Sequence, residues 1–337
     1  MALSSDEIIK RELKDKVGSI GKLKLWIFPQ SSNEDQKVFP QGLTFGIDGV
    51  AYGSCDACWV TKNDKWLNPY NNHMSEYKPV LALEGTDALN RGSSGNAQYQ
   101  RFHHALGAVK CGIIGVYYLR KGKDKIQEDL YGMAYFASKV EKGIYLIIDD
   151  LNELKTLLQL ISSGGNTDVF IDKKLESMYK IFSDKFNKEY GSWENFAKRR
   201  STIIKEGYII KYSGRMRRNF TDGSQRAGHI AVGEMYLTKY FFPEKKFYYL
   251  WPKMNKDDIA YLDEHKSDDK EWKILRNEPG VEIITIEDLE GVPAQLKRAL
   301  FNIRNEPLKG RALEIFNKAI RIIGEGLISN KIKIKGI

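Results

Sequence analysis

Two acidic residues lie where an α/β scaffold displays chemistry. Asp56 heads the apolar run of CDACWV, and Glu84 closes the run VLAL within KPVLALEGT. Both runs predict buried strands. Carboxylates held at the ends of adjacent strands make a hard-oxygen site suited to Mg2+, which binds through one or two carboxylates and keeps several waters beside a phosphate substrate. Such an ion activates water and neutralises the charge that gathers on the phosphate under attack. The competing reading is that Asp56 caps a turn and Glu84 pairs with a surface lysine. The apolar stretch before Glu84 and the glycine after it favour the site. Asp48, in GIDGV, rivals Asp56 as first carboxylate, and Thr86 and Asp87 just beyond Glu84 complete the catalytic candidates.

A helix is predicted to follow, from about Gly95 to Lys110, in GSSGNAQYQRFHHALGAVK. Tyr99, Phe102, Leu106 and Val109 recur at helical spacing and form its expected buried stripe. That leaves Asn96, Gln100, Arg101 and His103 or His104 nearer the open side. Asn and Gln can bond adenine bidentately and Arg can bond guanine or phosphate, so this face is suited to reading DNA. A solvated helix face is the plainer alternative.

A second basic feature lies in KYSGRMRRNFTDGSQRAGH, where Lys211, Arg215, Arg217, Arg218 and Arg226 crowd together with few acids. Guanidinium groups in a glycine-bearing loop can straddle phosphates, and Asn219, Ser224 and Gln225 can reach base edges. His229 and Glu234, in the helix that follows, read first as helix-face residues.

An Asp at a strand start, then apolar-apolar-Glu and a helix, resembles the core of the PD-(D/E)xK nuclease superfamily, and GSSGNAQYQRFHH resembles the Gly-Asn-Ala helix of EcoRI-like enzymes within it. The resemblance covers the stretch from Asp56 to Tyr118. It implies a restriction-endonuclease-like core with helical insertions and a type II restriction endonuclease, cutting double-stranded DNA at specific sequences. It implies further that Asp56 and Glu84 hold Mg2+, and that a homodimer faces a two-fold-symmetric site. Two positions depart from the family pattern. Thr86 stands where a lysine usually follows the second carboxylate by two residues, and Cys55 stands where a proline usually precedes the first.

The elements that must position these residues belong to an α/β chain with a central mixed sheet flanked by helices. Apolar runs LTFGI, ACWV, VLALE and CGIIGVYYL alternate with glycine-rich turns, and GIYLIID continues the sheet after a helix over 127–143. Asp150 is placed to cap LNELKTLLQLI. After SSGGN, helices are expected over 172–190 and 193–205, a strand at YIIKY, a helix over 225–242, strands at KFYYLW and VEIITI, and helices over 293–303 and 310–323. DDIAYLDEHKSDDKEWK reads as a solvated helix and KIKIKGI as a terminal strand or tail. A soft boundary separates an N-terminal part, 1–163, with its catalytic core at about 42–150, from a second part, 164–337, that carries the basic loop. A single continuous domain is the alternative.

The 337 residues carry 53 Lys and Arg against 44 Asp and Glu, a net charge of +9 that favours polyanionic partners. No apolar run is long enough for a membrane span and the first residues form an amphipathic helix, so the expectation is a cytoplasmic protein without a membrane partner. The three cysteines, Cys55, Cys58 and Cys111, argue against a disulfide framework. Cys55 and Cys58 have zinc-ligand spacing, but only Cys111 and a histidine remain to complete a set, and Cys58 and Cys111 read as small core residues. Two rivals to the nuclease remain. One is a DNA- or RNA-binding protein without catalysis, which Thr86 favours; the other is a hydrolase or transferase working on a small substrate through Glu84 and Asp87.

Overall fold

The computed structural model describes residues 5–27, 43–86, 96–120, 129–214, 216–218, 227–303 and 308–337. The chain divides into two compact units, Met1–Glu189 and Tyr190–Ile337.

The first unit opens with α1 (Ser5–Glu12), continued by a π-turn (Leu13–Val17) that ends at Gly18 in a left-handed conformation. A five-stranded sheet follows, in the order β1 (Leu23–Ile27), β4 (Ala57–Leu67), β5 (Met74–Thr86), β6 (Ile114–Leu119) and β7 (Tyr145–Ile148). The pairs β1–β4 and β4–β5 are antiparallel, while β5–β6 and β6–β7 are parallel. The sheet is therefore mixed, as the sequence predicts. Parallel neighbours need crossover connections. Helices α2 (Asn96–Lys110) and α3 (Asp129–Val140) supply them. A small hairpin, β2 (Phe45–Ile47) with β3 (Val50–Gly53), lies against α2. One sheet face packs Trp26, Cys58, Val60 and Ala82 together with Phe45 of the hairpin and Ala108 of α2.

Helix α4 (Leu151–Ser163) begins where expected, with the Asp150 carboxylate accepting from the amide of Asn152. Helix α5 (Asp168–Glu189) buries Leu175, Met178 and Phe182. Its Phe182 ring packs on Gly132 of α3, so a helix that the sequence groups with the second half belongs to the first unit.

In the second unit, α6 (Trp193–Arg199) stops short of the predicted helix end at residue 205. Ser201 turns with φ +52°, and the β-branched Thr202–Ile204 become β8, antiparallel to β9 (Tyr208–Tyr212). Parallel partners β10 (Lys246–Leu250) and β11 (Val281–Ile284) complete a sheet of order β11-β10-β9-β8. Helix α7 (Ala227–Phe241) joins β9 to β10, and α8 (Lys256–His265) and α9 (Lys270–Asn277) join β10 to β11. The single solvated helix predicted there is two helices, each with its own capping residue, Asn255 and Asp269.

Helices α10 (Ala294–Asn302) and α11 (Gly310–Ile328) set Leu300, Phe316, Ile320 and Ile323 against Ile210, Tyr248, Leu250 and Ile284 on one face of this sheet. On the other, Tyr249 bonds Glu234 of α7 and Trp251 packs on Trp272 of α9. The unit is three-layered, with a core on each side of the strands. The segment KIKIKGI contributes β13 (Lys333–Ile334), which pairs with β12 (Leu289–Glu290). Among the described residues, no helix is long and apolar enough to cross a membrane.

Candidate functional site

The antiparallel register of β4 and β5 sets Ala57 opposite Leu83 and Cys58 opposite Ala82. Asp56 lies one residue before the start of β4, beyond the last pair of this ladder. The two carboxylates chosen from sequence thus lie on neighbouring stretches of chain, joined through the Gly85 amide that Asp56 accepts from. In the parallel ladder with β6, Glu84 is paired in turn with Tyr117, and Thr86, two residues on, shares its face.

Glu84 is only 4% exposed. Its Oε1 lies 3.1 Å from His104 Nδ1 and 3.5 Å from Arg101 Nη1, both from α2. Arg101 also donates to the carbonyl of Gly85 at 2.9 Å. From the preceding peptide, the Gly85 amide donates to Asp56 Oδ2 at 2.9 Å. One glycine therefore links both acids and the guanidinium. A side chain at Gly85 would collide with Ile9 of α1. The surface-lysine reading of Glu84 does not describe this arrangement: its partners are buried or half-buried groups of α2.

Why α2 approaches so closely is also visible. Gly53, at the end of β3, lies against the backbone of His104, where an added Cβ would come within 2.6 Å of the His104 Cα. From the far edge of the sheet, the Tyr145 phenol donates to the Phe102 carbonyl at 2.9 Å, and the two rings stack with centroids 4.3 Å apart. Burial raises the Tyr145 phenol well above its ordinary range. Tyr117 is pushed up likewise by burial, with Arg101 acting against the shift and Glu84 adding to it. Tyr117 enters the site as a neutral phenol.

A third acid, Glu12 of α1, belongs to the framework. Burial pushes it up, but hydrogen bonds to Arg120 and Lys16 win and hold it below the usual carboxylate range. Arg120 bonds it at 2.9 and 3.3 Å, while the Arg120 amide donates to the Thr86 carbonyl at 3.0 Å. This ties α1 to the ends of β5 and β6.

The remaining sequence candidates fall as follows. Asp48 occupies the tip of the β2–β3 hairpin with φ +49°, its amide donating to the Pro69 carbonyl. Among the described residues nothing joins its carboxylate to Asp56 or Glu84. Arg101 and His104, chosen as base readers, are turned to Glu84. His103, offered as the alternative to His104, is fully buried. Arg217 is half-buried and Arg218 exposed, its guanidinium 3.8 Å from the ring centre of Tyr261. Asp87, Arg215, Asn219, Ser224, Gln225 and Arg226 lie outside the described residues, as do the side chains of Asn96 and Gln100. The three cysteines are free thiols. Burial raises Cys58 far above the thiol range and Cys111 to about 11. Tyr117 was missed, because the parallel register that seats it beside Glu84 leaves no mark in IGVYYL.

A carboxylate on β5 and one just before β4 are hard-oxygen donors, and that donor chemistry fits a divalent cation. Asp56 and Glu84 are the residues that would hold it. Compared with known protein families, with curated proteins and with solved structures, the chain has no match.

Proposed function

We propose that the protein is a metal-dependent endonuclease that cuts double-stranded DNA at specific sequences, in the manner of a type II restriction enzyme. The observation that carries this reading is that Asp56 accepts from the amide of Gly85, the residue after a buried Glu84 that Arg101 and His104 of α2 reach. The resemblance of the segment from Asp56 to Tyr118 to the PD-(D/E)xK core supports it, as does the net charge of +9. A Mg2+ ion bound there supplies Lewis-acid stabilisation of the phosphate and an acidified water. Arg101, half-buried and already at Glu84, offers positive charge at the position left without a lysine by Thr86. The Gly85 peptide fixes the spacing of the two acids. His104 is placed to hold or pass a proton at Nδ1. A homodimer in the cytoplasm, with one site for each strand of a palindrome, completes the proposal.

The test is incubation with phage DNA and Mg2+, an EDTA control, and sequencing of the fragment ends. Discrete ends that vanish with EDTA and in Glu84→Gln are expected. Cleavage that persists in both Asp56→Asn and Glu84→Gln would sink the site assignment. The second reading, a DNA-binding protein without catalysis, is favoured by Thr86, which is buried at 1% exposure where the family pattern has its lysine. It predicts salt-sensitive duplex binding and no cleavage in Mg2+.

A further inference from the structure

In the second unit, β9, β10 and β11 run parallel, so their carboxyl ends at Tyr212, Leu250 and Ile284 come level. Ligands of open α/β sheets bind in the crevice outside such ends. Two turns leave the sheet there side by side. The Ser213 amide donates to the Leu250 carbonyl at 3.1 Å, and the Trp251 amide to the Ile284 carbonyl at 2.8 Å. The first turn runs on to Arg217 and the second carries Lys253.

Lys253 is 2% exposed, with Nζ 5.3 Å from the ring centre of Phe316. Arg217 has its Nε buried without an acceptor among the described residues. Burial, and then the charge of Arg217, push the Lys253 ammonium down to about 8. Among the described residues at this end of the sheet, Asp288 accepts from the Thr285 amide and pairs with Lys256 at 3.0 Å, and Glu287 takes the Lys256 amide at 3.0 Å. Among the described residues neither Arg217 nor Lys253 has a carboxylate partner. A nearby basic residue, Lys211, has its ammonium on the Arg200 carbonyl at 2.7 Å. A buried ammonium acting on a half-buried guanidinium, with no carboxylate partner among the described residues, is costly, and an oxyanion received between them removes that cost.

We propose that Arg217 and Lys253 form a phosphate-binding site at the carboxyl ends of β9 and β10. The guanidinium offers directed donors and the ammonium a compact charge, a combination that suits a tetrahedral oxyanion. For its occupant the assignment rests on the nuclease reading: the phosphate is a backbone phosphodiester of the duplex, and free phosphate is the other source of the same chemistry.

The wild-type protein is compared with Lys253→Met and Arg217→Gln in two assays. One follows thermal melting in inorganic phosphate against chloride at equal ionic strength. The other measures binding of a fluorescent duplex in EDTA across a chloride series. Each variant is expected to bind the duplex more weakly, with the slope of log K against log salt reduced by about 0.9 for a lost phosphate contact, and with the fold intact by circular dichroism. A stabilisation by inorganic phosphate that both variants lose upholds the site, and if their duplex binding matches the wild type its occupant is free phosphate. Variants that match the wild type in both assays overturn it. Failure of the nuclease reading shows separately, as absence of Mg2+-dependent cleavage by the wild type, and leaves the melting assay to decide this site.

Discussion

The backbone amide of Gly85 donates to Asp56 Oδ2 at 2.9 Å, so the residue following the second carboxylate holds the first one in place. Replacing Asp56 by Asn keeps an oxygen for that amide and removes only the charge. Asp56→Asn is expected to fold with unchanged stability and to lose Mg2+-dependent cleavage by about 100-fold or more. Asp56→Ala loses the hydrogen bond as well and is expected to unfold about 1 kcal/mol more easily. Urea denaturation beside the cleavage assay separates the two effects; equal stability of both variants would show that the Gly85 bond contributes nothing.

Arg101 discriminates between recognition and catalysis. It reaches Glu84 and the Gly85 carbonyl, within the protein. Arg101→Gln is therefore expected to cut cleavage about 10- to 100-fold, while duplex affinity in EDTA stays unchanged. A large loss of affinity with cleavage intact at saturating DNA would return Arg101 to the base-reading role assigned from its helical position.

Lys253 makes a prediction about alkaline pH. Its folded-state value of about 8 lies below the ordinary 10.5, so between those pH values the unfolded chain binds more protons than the folded one. Stability is expected to rise with pH across that window. Lys253→Met should abolish the rise and be the more stable protein near neutrality. Denaturation midpoints taken at pH 7, 9 and 10 in wild type and variant check this, and a wild-type curve that is flat or falling relative to the variant contradicts it.

The thiols should be quiet. Burial raises both Cys58 and Cys111, the latter to about 11, and the thiolate is the reactive form. Neither is expected to be alkylated in the native protein at neutral pH, and both should react once it is unfolded. Mass mapping of native and denatured samples reads this directly; rapid native labelling of Cys58 would contradict its burial.

Much of this organisation is written in local patterns. The apolar runs before Glu84 and after Asp56 marked two strands, and Asp150 and the glycine turns marked where helices start and strands stop. Long-range pairing was not legible. Residues 202–204 continue a basic helical segment by sequence, yet they become a strand because β9 is there to receive their hydrogen bonds. His103 was offered as a surface group on the assumption that α2 has one buried stripe. Residues 105–110 are all buried, because the helix lies between the sheet and the β2–β3 hairpin, with Gly107 against Phe45 and Tyr52. Lys253 gave no signal, since a single lysine in WPKMN looks like any turn cation until the carboxyl ends of two strands are seen to bury it.

The Tyr145 phenol bound to the Phe102 carbonyl has a consequence for selectivity. Arg101 and His104 flank that carbonyl on a helix that cannot slide along the sheet without abandoning a buried bond. On the proposed nuclease reading, the protein side of the encounter would be set in advance, and the adjustment needed to seat a phosphate would fall on the duplex. Base steps that kink or untwist at low cost then gain an advantage even at positions no side chain reaches.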